Sequence, residues 1–246
     1  MRVEDMTWLE YRDLVATWIV VLPIGAIDGH GPHLPLSTDT IISTYLAHRL
    51  ESHLDVLVLP AIPYSQKTDP PASGGEFPGV TNLRASTLTN VVVEVLRASY
   101  RNGGRRFLII DSHKANVGAV RESADLFIDG APGARVMAAT WWDVVSEHTR
   151  NAIAGETGVG RQDDHHAAMV ETSLIMHIAP GSVRQDLVGD DSISRRARYL
   201  ILPVPDSLKT RGGIVYRASM ASPAIGERLV AEIVSNLVDA VRLELM

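Results

Sequence analysis

Residues 17–50, TWIVVLPIGAIDGHGPHLPLSTDTIISTYLAHRL, contain the pattern that decides the fold. The segment begins with the apolar run 17–22, continues through a stretch rich in glycine, proline, aspartate and histidine, and ends in the amphipathic run 40–50. A short apolar run without polar alternation is typical of a buried parallel strand, and an apolar repeat every three to four residues is typical of a helix. The segment therefore predicts a strand, a loop and a helix in succession.

The same alternation recurs along the rest of the chain. Further buried strands are predicted at 56–59, 106–110 and 135–139, and further helices at 86–101, 116–127 and 223–245. Alternating strands and helices favour an α/β fold, with a mostly parallel central sheet covered by helices on both faces in a three-layer α/β/α arrangement. No linker, repeat or low-complexity tract interrupts the pattern, and we expect a single domain over residues 1–246.

The composition excludes several kinds of partner and site. The 246 residues are 46% hydrophobic and 21% charged, and their formal net charge is -6. That charge supplies no basic surface, so we expect no nucleic acid and no membrane as partners, and a small molecule or peptide instead. The chain has no cysteine, so a bound metal must rest on histidine, aspartate and glutamate. The acidic N-terminal residues do not resemble a signal peptide, and we expect a cytoplasmic protein.

The loop after the first predicted strand contains residues suited to a metal. Pro32 and Pro35 exclude a regular helix, so the chain runs extended or turned there. In an extended chain Asp28 and His30 project to the same side, and Asp39 can bring a second carboxylate to them. Carboxylate oxygen and imidazole nitrogen suit zinc or manganese. An ordinary structural role is also open, because Asp39 is a natural N-cap for the helix that follows.

A second cluster favours the metal interpretation. The segment DSHKAN, residues 111–116, follows the predicted strand 106–110. Ligands of open parallel sheets gather at the carboxyl ends of the strands, and His113 lies at this end. The loop that contains Asp28 and His30 follows its own strand in the same way, so the two clusters are expected to meet at one edge of the sheet.

A third cluster lies further along the chain, in the segment DDHHAAMVETS, residues 163–173. It brings His165, His166 and Glu171 to the start of a predicted helix. A polar helix start, with Thr172 and Ser173 on the helix surface, is the alternative interpretation of this segment alone. Three clusters of acids and histidines in one chain favour a metal site.

The connection over residues 61–83 is unusually long for a compact domain. It contains the hydroxyl residues Ser65, Thr68 and Ser73 among prolines and glycines. Loops of this length are commonly functional, so the segment is predicted either to form a wall of the active site or to be an ordinary surface excursion.

These residues together resemble the creatininase family. The family hallmark is Glu-Gln-His-Gly-Pro-His-Leu-Pro-Leu followed by Thr-Asp, and this chain has DGHGPHLPL at residues 28–36 followed by Thr38 and Asp39. Further matches cover nearly the whole chain, at Phe77-Pro78-Gly79, His113 to Asn116, His166-Ala167 and Glu171-Thr172-Ser173. The resemblance implies a three-layer α/β/α fold, a hexameric homo-oligomer and two divalent metal ions, zinc or manganese.

The family's metal ligands transfer onto matching positions of this chain. The resemblance implies five ligands, with the third of them bridging the two ions: Asp28, His30, Asp39, His113 and Glu171. Creatininase itself has a glutamate where this chain has Ala115, and Glu171 is taken to supply the missing carboxylate. Three carboxylates and two neutral imidazoles leave one positive charge for a hydroxide that bridges the metals, which is the expected nucleophile.

The resemblance also implies a catalytic residue and several departures. His166 matches the proton shuttle of creatininase, and Asp164 and His165 flank it and could orient it. His33 and Lys114 are candidates for contact with the substrate or with the metal ligands, although a surface position is the ordinary role of a lysine. Asp28 replaces the family glutamate and is one methylene shorter. Asp111 and Ser112 replace Asn-Gly.

The sequence therefore predicts a metal-dependent amidohydrolase that cleaves a C–N bond in a cyclic amide, a formamide or a similar small amide. A peptide-processing hydrolase of the same family is one alternative, and a metal-binding homologue without turnover is another. A nucleotide-binding Rossmann protein and a serine hydrolase are disfavoured, because no GxGxxG, P-loop or GxSxG motif follows a predicted strand.

Overall fold

A four-stranded sheet forms the centre of the protein. The computed structural model describes residues 1–68, 77–191, 199 and 201–246. The strands are β1 (Ile19–Ile24), β2 (Val56–Val58), β3 (Ser65–Gln66), β4 (Asn82–Leu83), β5 (Arg106–Asp111), β6 (Arg135–Thr140), β7 (Asp190–Asp191) and β8 (Tyr216–Arg217). The α-helices are α1 (Trp8–Leu14), α2 (Thr38–Leu50), α3 (Ala85–Arg101), α4 (Val117–Asp129), α5 (Trp141–Val144), α6 (Glu147–Thr157), α7 (Met169–Ile178) and α8 (Pro223–Glu244).

The central sheet is entirely parallel and has the strand order β2-β1-β5-β6. The short strands β3 and β4 form a separate parallel pair, and β7 and β8 form an antiparallel pair. Across the segments that the structure describes, no helix combines the length and the apolar character needed to cross a membrane.

Helices cover both faces of the central sheet, as predicted. In β1, Ile19 and Val21 pack into one hydrophobic core, whereas Val20 and Leu22 pack into another. The first core contains side chains of α2, α7 and α8, and the second contains side chains of α3 and α4. Because every residue of β1 is buried on one face or the other, the strand reads as a continuous apolar run. The predicted three-layer α/β/α fold is thereby confirmed.

The strand order creates a crevice at one edge of the sheet. The chain leaves β1 through α2 and returns to β2 on one side, then crosses through α3 to β5 on the other side of β1. The loops that follow β1 and β5 therefore lead away to opposite faces. Open α/β sheets bind ligands at such a point, outside the carboxyl ends of the two strands.

Two predictions differ from the structure near this crevice. The helix predicted at 40–50 begins at Thr38, and Ser37 occupies the N-cap position, so the interpretation of Asp39 as the cap is wrong. The amide and the hydroxyl of Thr38 both donate to the carbonyl of Pro35, which starts the helix early and places Asp39 in its first turn.

Within the long connection, β3 and β4 are paired, and Ser73 lies outside the described residues.

Close packing of α8 on α7 can be tested at one glycine. Gly226 lies in the first turn of α8, where a Cβ atom would overlap the backbone oxygen of Ser173. Gly226→Ala is expected to lower the free energy of unfolding by about 2 kcal/mol, because overpacking forces the helices apart. In the matched control Gly155→Ala, the new Cβ meets no atom within 4 Å and should stabilise α6 by about 0.5 kcal/mol. Urea denaturation measures both, and equal effects would contradict this account.

Candidate metal centre

Six of the residues predicted from the sequence meet in one buried cluster at the carboxyl ends of β1 and β5. The loop after β1 supplies two of them, the first turn of α2 one, the loop after β5 one, the segment before α7 one, and the first turn of α7 the last. In that order they are Asp28, His30, Asp39, His113, His166 and Glu171. The structure thus brings the three separate sequence clusters into contact.

The carboxylate of Asp39 lies between two histidines. Its Oδ1 atom is 3.2 Å from Nε2 of His30, and its Oδ2 atom is 2.6 Å from Nδ1 of His113. The position of Asp39 in the first turn of α2 is favourable for a carboxylate, because the helix dipole is positive there. One carboxylate therefore presents one oxygen to each of two imidazole rings.

A second carboxylate lies on each side of Asp39. On one side, Oδ2 of Asp28 is 4.0 Å from Nδ1 of His113. On the other side, Oε2 of Glu171 is 3.8 Å from Nε2 of His30. We call Asp28, Asp39 and His113 the first half-site, and His30, Asp39 and Glu171 the second half-site. Each half-site has one imidazole and two carboxylates, and Asp39 belongs to both.

The donor set fits divalent metal ions. Nε2 of His30 is buried and, although Oδ1 of Asp39 is 3.2 Å away, makes no well-aligned hydrogen bond among the described residues. Ligand atoms of His30, His166 and Glu171 lie within 4.8 Å of one another. Burying three carboxylates together is costly unless cations compensate them, and two divalent ions supply that charge. His166 is thus placed where it can ligate a metal as well as carry a proton.

The pKa values of the two histidines beside Asp39, without metal, also favour a site for cations. Burial by itself lowers the pKa of His30, but the charges of Asp39, Glu171 and Asp28 outweigh burial and raise this pKa to about 10. Burial likewise opposes protonation of His113, and Asp39 raises its pKa above the usual range. The carboxylates thus hold protons on both rings. Metal ions would take the place of these protons, since a ligating imidazole must be neutral.

His166 is neutral in this environment. Its Nε2 atom is 2.6 Å from the carbonyl oxygen of Gly29, which can only accept, so Nε2 carries the proton. Burial and the neighbouring charge of His30, whose ring centroid is 4.3 Å away, lower the pKa of His166 to about 3. The Nδ1 atom therefore keeps a free lone pair at neutral pH.

Glu171 is held by the turn that precedes α7. Ala167 has a φ of 50°, in the left-handed region, and its amide donates to Oε2 of Glu171 at 2.6 Å. Burial raises the pKa of Glu171 to about 7. A strained residue at a ligand-binding turn is a recurrent feature of functional sites. Here the left-handed conformation of Ala167 directs its amide toward the carboxylate of Glu171.

Four other predicted residues lie outside this cluster. Lys114 is exposed at the start of a short 3₁₀ helix, and the exposed His165 lines a cavity of about 600 Å³ beside Arg150 and Arg161. Asp164 accepts a hydrogen bond from the amide of Val170, in the first turn of α7, at 3.4 Å.

His33 joins the proline-rich loop to α7. Its Nε2 atom is 2.8 Å from the hydroxyl of Thr172, and burial lowers the pKa of His33 to about 4. Thr172 and Ser173 are both fully buried, so their interpretation as helix-surface residues is wrong. Their hydroxyls lie within the protein because α7 packs between α2 and α8.

Sequence reasoning missed the role of two residues. Asn116 donates to Gly25 O and to Asp111 Oδ1 and accepts from the amide of Gln66, so it ties β1, β5 and β3 together. Thr68 is buried against Asp28 and His113. The only signal for Thr68 was its place in an unusually long loop. The signals for Asn116 were its position soon after a strand and its place in the family-like segment 113–116.

Comparison with known proteins agrees with this geometry. The family model of creatininase, described as creatinine amidohydrolase, matches residues 4–241. Creatinine amidohydrolase of Pseudomonas putida is 30% identical over 250 residues, which cover 98% of this chain and 96% of that protein. Mycofactocin precursor peptide peptidase of Mycobacterium tuberculosis is 28% identical over 239 residues, which cover 89% and 82%. A solved structure of creatininase with Mn has a TM-score of 0.92 at 29% identity and covers 99% and 98%.

The parallel sheet and the buried acid and histidine cluster at its carboxyl edge define an α/β protein with a candidate metal centre. The chain belongs to the creatininase family, whose hydrolases act on amide bonds.

Asp111 provides a test of the electrostatics beside the cluster. Its Oδ1 accepts from the amide of His113 and from Asn116. Its Oδ2 is buried and meets no partner in the described part of the chain, and burial raises the pKa of Asp111 to about 7. In chelator, the unfolded carboxyl ionises near 3.8 while the folded one keeps its proton. The contribution of Asp111 to stability should therefore fall as the pH rises from 4 to 7, by roughly 4 kcal/mol at about 1.4 kcal/mol per pKa unit.

Asp111→Asn should remove this part of the pH dependence and make the metal-free protein more stable than wild type above pH 7. Urea denaturation between pH 4 and 8 measures the difference between the two proteins. The control Asp125→Asn changes an exposed carboxyl on α4 and should follow wild type. Parallel curves for Asp111→Asn and wild type would show that the carboxyl of Asp111 is ionised in the fold.

Proposed function

We propose that the protein is a metal-dependent amidohydrolase that hydrolyses a C–N bond with the help of two divalent ions. The observation that carries this proposal is the carboxylate of Asp39, which presents one oxygen to His30 and the other to His113. A carboxylate shared in this way is suited to bridge two metals. Family membership supports the type of reaction.

The two half-sites would hold one ion each. Asp28 and His113 would complete the first half-site, and His30 and Glu171 the second, with Asp39 in both. Zinc or manganese suits this set of oxygen and nitrogen ligands. Solved relatives support the same two metals, since they include creatininase Mn and a creatininase variant of Zn-Zn type. When bound, such ions polarise an amide carbonyl and lower the pKa of water.

His166 is the residue that we assign to proton transfer. The carbonyl of Gly29 holds the proton of Nε2, so Nδ1 is the nitrogen that can accept a proton from the attacking water. The ring is neutral and its Nδ1 is unprotonated, so it can act first as a base. The same nitrogen then returns the proton to the leaving nitrogen of the amide.

The substrate class divides into two candidates. A small amide, cyclic or formyl, is the main one, because the family model and the Pseudomonas relative are both described as creatinine amidohydrolase. A peptide is the second candidate, since mycofactocin precursor peptide peptidase is a relative over 89% of this chain. We further propose, from the family resemblance, that the enzyme is a cytoplasmic homo-oligomer, a hexamer, built from one domain per chain.

Metal content tests the shared role of Asp39. Wild type purified without chelator should contain about two divalent ions per chain by elemental analysis. Asp39→Asn should lose both ions because it removes a ligand from each half-site, whereas His30→Gln and His113→Gln should each keep about one. Asp206→Asn, which changes a fully exposed carboxyl, is the matched control and should keep both. Wild type without divalent metal would overturn the proposed function.

Turnover tests the role of His166. With both ions retained, His166→Gln should hydrolyse a panel of creatinine, formamidopyrimidines and short peptides roughly 100 to 10,000 times more slowly than wild type. His148→Gln, at an exposed position of α6, should match wild type. Loss of an ion in His166→Gln would instead identify this residue as a ligand. Metal without hydrolysis of any compound in the panel would favour a metal-binding homologue without turnover.

A further inference from the structure

Thr68 makes two contacts with the first half-site. Its Oγ1 atom is 2.9 Å from Nε2 of His113 and 3.3 Å from Oδ2 of Asp28. The residue is buried, and the amide of the preceding Lys67 donates to Leu83 O at 3.0 Å, which extends the pairing of β3 with β4. Thr68 is therefore held in place by the backbone and presents its hydroxyl to both side chains.

The direction of these hydrogen bonds follows from the number of protons available. A carboxylate oxygen only accepts, so the single hydroxyl proton of Thr68 goes to Asp28. The hydroxyl oxygen must then accept from His113, which requires the proton of the neutral ring to be on Nε2. When a metal ion replaces the second proton of the ring, Nδ1 provides the lone pair, and it is the nitrogen 2.6 Å from Oδ2 of Asp39.

His30 shows the complementary arrangement. Its Nδ1 atom is 3.2 Å from the carbonyl oxygen of Asp28, which places the proton on Nδ1 and leaves Nε2 to face Asp39 and Glu171. The tautomer of His30 is thus set by the backbone. The tautomer of His113 depends on a side chain, and it can be changed by one substitution.

We infer that Thr68 is a positioning residue that selects Nδ1 of His113 as the metal-ligating nitrogen and orients the carboxylate of Asp28. This inference rests on the proposed function. It also bears on the departure at Asp28, where the family has the longer glutamate. The shorter side chain has less reach, and its two oxygens are held by the amide of Gly29 and the hydroxyl of Thr68.

A pair of variants separates the hydroxyl from the shape of the side chain. Thr68→Val keeps the branched shape and removes the hydroxyl, whereas Thr68→Ser keeps the hydroxyl. Each protein is stripped with chelator and titrated with zinc in competition with a chromophoric chelator, and the thermal midpoint is measured with and without zinc. We expect Thr68→Val to bind one of two zinc ions 10- to 100-fold more weakly, with a smaller zinc-induced rise in the midpoint. Thr68→Ser should stay within about threefold of wild type.

The outcomes distinguish failure of this inference from failure of the proposed function. Two zinc ions bound to wild type and to Thr68→Val with equal affinity would overturn the role of Thr68 and leave the proposed function standing. Equal losses in Thr68→Val and Thr68→Ser would also overturn it, because the hydroxyl would then not be the cause. A wild type that binds neither zinc nor manganese would overturn the proposed function, and this inference with it. The thermal midpoint without zinc shows whether each variant is folded.

Discussion

Burial of the Asp39 carboxylate between two histidines is the constraint on which the rest of the site depends. Moving a charged carboxylate out of water costs several kcal/mol, and only close partners offset that cost. His30 and His113 are these partners, and they come from loops after two neighbouring strands. The fold must therefore bring β1, β5 and the start of α2 together within hydrogen-bond distance.

Packing away from the cluster keeps this geometry. Asn116 bonds to groups from β1, β5 and β3, so the strand ends that carry the cluster cannot shift independently. On the opposite side, Gly226 allows α8 to approach α7 at the backbone of Ser173, two residues beyond Glu171. The position of Glu171 is thus set by helix packing as well as by the turn at Ala167.

Two departures from the family pattern, Ala115 and Asp28, both affect the carboxylates that surround the two histidines. Ala115 removes a carboxylate that creatininase has, and Glu171 lies on the side of His30 where a second carboxylate completes the second half-site. Asp28 is shorter than the family glutamate, and Thr68 holds the end of its side chain. Both changes leave each histidine with two carboxylates nearby, which preserves the charge that two divalent ions require.

The sequence by itself determined the fold class and the residues of the cluster. Parallel strands covered on both faces are continuous apolar runs, such as residues 106–110. All four central strands could therefore be predicted from runs of this kind, and their observed ends differ from the predicted ends by at most two residues. Asp28, His30 and His113 were identifiable because they follow such strands, at the edge where a parallel sheet binds ligands.

Only the tertiary structure decided how those residues are paired. Glu171 meets His30 across 140 intervening residues, and no local pattern specifies which histidine it approaches. Thr68 reaches the site through the pairing of β3 with β4, two strands of two residues each that are too short to give a periodic signal. Lys114 and His165 are residue types that are common in active sites, but both lie outside the buried cluster. The direction of a side chain depends on long-range packing and backbone turns, which the local sequence does not specify.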